Sequence, residues 1–278
     1  MWRRAYWALA VVVCLTMPAL VRAQTQESYI DAYIVKVKPE RTAEFTSLIK
    51  KWAVANHDNG GDRWIAAETV YGDADVYIFT STRHSYAEID KANESVMAAT
   101  SKAFGADGLG KLMQDYSSCL VSSRTELRRR RWDLSRKAPA DAAGFAKIIG
   151  GSRVLRTVAV HVRPGHQMEF EAYLKEAKVA GEKMANTQPV FVSQAVEGNK
   201  GIVYYITTFR TSLGGFDNNP STKDIMGEEG YKKFLQVNAE AVEEPVFTMY
   251  RFNAELSNPP DEIAAAAPDF WHPKSANK

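Results

Sequence analysis

The side chains that could do chemistry are few and scattered. The histidines are His57, His84, His161, His166 and His272. None belongs to a His-Glu-x-x-His motif or to a close His/Cys cluster, so no metal site is assigned. Asp31 and Arg156 are lone charges inside apolar strands, where burying either alone would be costly. They form either a structural ion pair or the polar point of a ligand pocket. Arg128-Arg129-Arg130-Arg131 is the most unusual charge run. On a strand, Leu127, Arg129 and Arg131 share one face, while Arg128, Arg130 and Trp132 share the other. The run is either a solvated edge or a wall whose Arg129 and Arg131 side binds a carboxylate or phosphate through the planar guanidinium fork.

Nucleotide and hydrolase motifs are missing. Gly105-Ala106-Asp107-Gly108-Leu109-Gly110-Lys111 lacks the spacing of a phosphate-binding loop and the hydroxyl residue after its lysine. There is no dinucleotide fingerprint and no Gly-x-Ser-x-Gly elbow.

Two similar halves must position whatever chemistry exists. The first opens with an apolar strand over 29–37, passes Pro39 and enters a helix; the second opens over 154–162, passes Pro164 and does the same. Proline costs little there, because the first amides of a helix need no internal partner. Phe45, Leu48, Ile49 and Trp52 make one helical stripe; Phe170, Tyr173, Leu174 and Ala177 make its counterpart. Strand pairs follow at 64–70 and 76–81, and at 190–196 and 202–209. A further helical region comes next in each half, in the first over 86–101 with a short segment at 109–116. Each half closes on a strand, at 124–132 and 246–252.

The order is β-α-β-β-α-β twice, which predicts an α+β chain of two ferredoxin-like units. Each sheet carries helices on one face and needs cover on the other. Both faces of the first strands are apolar, so the sheets are expected to cover each other. Tyr33, Trp64, Glu68, Tyr77, Gln194 and Tyr204 are the expected lining of the space between them, with Asp31 and Arg156 beside it.

The repeated pattern resembles the dimeric α/β-barrel superfamily, which includes antibiotic-biosynthesis monooxygenase-like proteins. The resemblance covers roughly 27–255 and rests on topology, not on a catalytic motif. It implies two ferredoxin-like units packed sheet to sheet around a barrel cavity, here within one chain. It also implies small-molecule chemistry, with Asp31, Glu68 or His161 as the general base. A haem-bearing relative would need an axial histidine, for which His161 and His166 qualify by residue type alone. No cofactor is assigned.

The chain has 278 residues, 35 basic and 33 acidic, with 45% apolar residues, which are ordinary globular proportions. Arg3 and Arg4 precede a short apolar run ending in Val21-Arg22-Ala23, the pattern of an export signal over 1–23. Its removal takes away three arginines and Cys14, leaving a nearly neutral chain with Cys119 alone. No stable membrane span remains, and the charge balance does not support nucleic-acid binding. The expected organisation is a signal over 1–23, units at 24–132 and 153–256, a linker at 133–152 and a tail at 257–278, which Phe270 and Trp271 could pin to the body. The expected product is an exported protein, periplasmic or secreted, that binds a small apolar or aromatic molecule. The alternatives are a cofactor-independent monooxygenase-like enzyme and a structural or interaction protein with a filled barrel.

Overall fold

The computed structural model describes residues 27–272. The export signal expected over 1–23 lies outside the described residues. The first unit comprises β1 (Tyr29–Val37), α1 (Thr42–Asp58), β2 (Ile65–Tyr71), β3 (Val76–Arg83), α2 (Tyr86–Cys119) and β4 (Leu120–Arg130). After the connecting α3 (Ala142–Gly151), the second repeats it: β5 (Val154–Val162), α4 (Gln167–Glu182), β6 (Val190–Glu197), β7 (Ile202–Arg210), α5 (Thr222–Ala241) and β8 (Val242–Phe252). Two short helices, α6 (Asp261–Ala265) and α7 (Pro268–Trp271), follow.

Local sequence explains these elements. Pro39 opens a helical turn ahead of α1, whose Phe45 and Ile49 are buried. Phe170, Tyr173 and Leu174 are their buried counterparts on α4. Both second helices are longer than the sequence pattern suggests and both break at a glycine, Gly105 (φ 70°) and Gly227 (φ 71°). Glycine takes this left-handed conformation without a Cβ penalty.

The eight strands form one closed antiparallel barrel in the order β1-β3-β2-β8-β5-β7-β6-β4. Within each unit the first strand sits between the third and fourth. Across the units, β2 bonds to β8 and β4 bonds to β6. The sheets therefore join by backbone hydrogen bonds as well as by facing side chains. Two apolar cores lie between sheet and helices, around Phe45 and Tyr77 in one unit and Phe170 and Tyr204 in the other. A third fills one end of the barrel, where Ala146, Ile149, Ile263 and Trp271 meet Ile65, Phe191 and Phe252.

That end is a plug. Residues expected to be linker and tail supply α3, α6 and α7. Trp271 is buried, and its Nε1 donates to Gly150 O at 3.0 Å. Gly150 lets α6 pack closely on α3: a Cβ there would sit 2.4 Å from Ile263 O. The tail is thus fixed to the body through Trp271.

Candidate functional site

Strand alternation decides which side chains enter the barrel. Ile30 and Ile34 of β1 face inward, as do Leu155, Thr157, Ala159 and His161 of β5. The intervening Tyr33 and Val35 face α1 and α2. The interior contains a cavity of about 360 Å³, within the range of small-molecule sites. Aromatic and aliphatic side chains dominate its plugged end, where Arg130 stands 4.6 Å from the Phe145 ring; further polar groups cross its middle and opposite end.

Glu126, from β4, is fully buried. Arg128 donates to it through Nε at 2.8 Å and lies within 2.6 Å through Nη2. Tyr205 donates to the same oxygen at 2.7 Å, and Arg124 Nη2 stands 3.1 Å from the other, without hydrogen-bond alignment. Burial pushes the Glu126 carboxyl up, but Arg128, Tyr205 and Arg124 together outweigh it and hold the group below its usual range. The Arg128 guanidinium also stacks 3.6 Å from the centre of the Tyr205 ring. Burial pushes the Tyr205 phenol up to about 12 and raises the Tyr250 phenol, so both remain donors at neutral pH.

Arg130 lines the same cavity on different terms. Its Nη2 donates to Thr82 Oγ1 at 3.2 Å, and its guanidinium lies 4.6 Å from the Phe145 ring and 5.6 Å from the Trp132 ring. No carboxylate pairs with it among the described residues. Burial lowers its pKa to about 10. Arg130 is half-buried and lines the cavity.

Of the residues singled out from sequence, His161 lines the cavity. The others do not, and the expected inward direction is corrected for each. Asp31 faces Arg83 at 3.4 Å, which also pairs with Asp62. Burial raises the Asp31 carboxyl against the pull of Arg83. Arg156 is exposed, with its guanidinium 5.2 Å from the Phe247 ring, so Asp31 and Arg156 do not meet. Glu68 accepts from Asn253 at 3.1 Å, and the Trp64 indole donates to Leu256 O at 2.8 Å. Tyr33 accepts from Tyr116 at 3.1 Å, while Tyr77 packs on Phe45.

Arg129, Arg131, Gln194 and Tyr204 do come together, but outside the barrel beneath α4. Arg131 forks onto Glu171 at 2.6 and 2.8 Å and onto Asp133 at 2.9 and 2.7 Å. Tyr204 donates to Glu171, and Gln194 accepts from Arg131 and Arg129. Hydrogen bonds from Arg131 hold the Glu171 carboxyl down to about 2. Arg131, Glu171 and Tyr204 bond one another and clamp the helix to the sheet, while the buried Nε of Arg129 has no partner among the described residues.

Sequence reasoning missed Glu126, Tyr205 and Tyr250, and chose the outer pair of the arginine run. The available signal was Glu126 itself, on the same strand face as Arg128 and Arg130 and adjacent to Arg128 on that face.

Among the described residues, no group of three or more metal-ligating side chains gathers, and no helix is long and apolar enough to cross a membrane. A haem would need an axial donor facing a slot. His57, His84, His166 and His272 stand outside the cavity, and His166 is engaged by Glu169 at 2.9 Å. His161 shares the barrel with the Glu126–Arg128–Tyr205 crossing. The lining of this cavity does not fit a haem.

No protein-family model and no curated protein matches the chain. Solved structures do. An anthrone oxidase-like protein aligns with TM-score 0.51 and 13% identity, over 84% of this chain and 94% of that one. A haem-binding protein from Thermus thermophilus aligns at 0.46 and 13%, over 83% and 93%. Chlorite dismutase from Candidatus Nitrospira defluvii aligns at 0.41 and 7%, over 82% and 93%.

Proposed function

We propose that this chain, which has the dimeric α/β-barrel fold, binds a small conjugated molecule inside its barrel and oxidises it with molecular oxygen, without a cofactor. The observation that carries the reading is the interior cavity, apolar at one end, with the imidazole of His161 in its wall. An apolar body with few convergent polar groups is the usual form of a small-molecule site.

Each side chain then has a definable task. His161 takes a proton from an acidic C–H that is conjugated to a carbonyl or phenol. The electron pair left behind spreads onto the distant oxygen, and the half-buried Tyr250 phenol is a donor for that charge. The anion passes one electron to oxygen, and the resulting radicals combine into a carbon–peroxide bond. Loss of water breaks the O–O bond and leaves a new carbonyl. The balance is CH₂ + O₂ → C=O + H₂O, so no external reductant is required.

The likeness to an anthrone oxidase-like protein makes anthrone the first compound to try. Oxygen uptake is measured with anthrone and a panel of phenols and ketones that carry an acidic CH₂, in chelator and with no added cofactor. Uptake matched by ketone formation is expected, with His161→Ala slower by about 10²–10⁴-fold. Binding of these compounds with no oxygen consumed would overturn the catalytic reading and leave a noncatalytic binding module.

A further inference from the structure

We propose that Arg130 and Trp132 form an anion subsite inside the barrel, and that the ligand is an aromatic or apolar acid whose carboxylate docks there. The inference rests on the cavity being the ligand site and deepens that reading by naming the ligand class.

The arginines of β4, and Arg131 directly after it, differ in their partners. Arg124 and Arg128 share Glu126. Arg131 has Glu171 and Asp133. Arg129 reaches Glu27 at 3.9 Å and Gln194 at 3.4 Å. Arg130 has only the Thr82 hydroxyl and two aromatic rings. A buried guanidinium without a counter-charge is unfavourable, and contact with aromatic faces offsets only part of that cost.

A second, independent observation lies beside it. The indole Nε1 of Trp132 is buried without an acceptor. Buried donors are ordinarily paired, and an orphan calls for an explanation. Two neighbouring side chains on one wall therefore have donors to spare, while no acceptor beyond Thr82 serves them. A carboxylate supplies the missing acceptors and the missing charge, and its two oxygens match the guanidinium fork. The surrounding wall takes an apolar body: Phe145 and Phe191 lie with ring centres 6.0 Å apart, and Phe252 and Phe209 complete that end. The single uncompensated cation among the described lining groups suits a monoanion better than a phosphate dianion.

The test compares 2-naphthoate with 2-naphthamide, nearly identical in shape but different in charge, by titration calorimetry on the full-length protein. The naphthoate is expected to bind about 10- to 100-fold tighter. Arg130→Met should remove that preference while leaving naphthamide binding unchanged, and Arg130→Lys should retain part of it. Arg129→Met, outside the barrel, should change neither. Equal binding of acid and amide, or an Arg130→Met variant that weakens both alike, would overturn the anion subsite and leave the cavity reading standing. Binding of neither compound would overturn both.

Discussion

Arg130→Met should stabilise the ligand-free protein. Burial holds the Arg130 pKa down to about 10, which corresponds to a charge disfavoured in the folded state by about 3 kcal/mol. The substitution forfeits a hydrogen bond to Thr82 worth about 0.5–1.5 kcal/mol and aromatic contacts worth about 0.5–1 kcal/mol. Methionine keeps the apolar packing of the stem, so the net expected gain is about 0.5–2 kcal/mol. For a chain of this size each kcal/mol is worth about 2–4 °C in Tm. The pH dependence fixes the cause. The folded pKa lies below the unfolded one, so the unfolded chain binds the proton more tightly and the penalty is complete below pH 10. It fades as the pH rises through that value toward the unfolded pKa. Urea unfolding of both proteins at pH 7 and at pH 10.5 should show the gap narrowing at the higher pH. A variant less stable than the parent at pH 7 would refute the claim that Arg130 is an uncompensated charge.

Further outcomes follow from other parts of the structure. Glu171→Gln should cost about 1–3 kcal/mol at pH 7, because charge-assisted bonds from Arg131 are lost; the folded pKa is depressed to about 2, so the gap to the parent should close as the pH falls toward that value in acid-unfolding curves. Trp271→Ala should cost about 3–5 kcal/mol and loosen the plug, seen as faster amide exchange in α3. Export remains our proposal for the leader: expression in a secreting host should yield a chain beginning at Gln24, and an intact Met1 terminus would contradict it.

The repeat was readable from sequence because local signals agree in both halves: a proline before the first helix, matching apolar stripes and paired strands. Closure of the barrel edge to edge was not, since nothing in β2 or β4 marks which strand of the other unit it will meet. The decisive error in the site was parity. β1 is apolar on both faces, Ala32 and Ile34 toward the barrel and Val35 and Val37 toward the helices, so hydrophobic pattern alone cannot say which face is inner. A shift of one residue then exchanges Arg128 and Arg130 for Arg129 and Arg131. Pro245 illustrates another limit. It lies within β8, beyond the part that pairs with β2, where a missing amide costs no ladder bond on that side. The sequence pattern places this strand at 246–252, whereas β8 begins at Val242.

The central claim is that the ligand sits inside the barrel. Its most direct test is a crystal soaked with a brominated naphthoate, with the bromine located by anomalous scattering. The account predicts one site between the phenylalanine-lined end and His161, with the carboxylate on Arg130. Bromine found only between sheet and helices, or only on the outer surface, would contradict it.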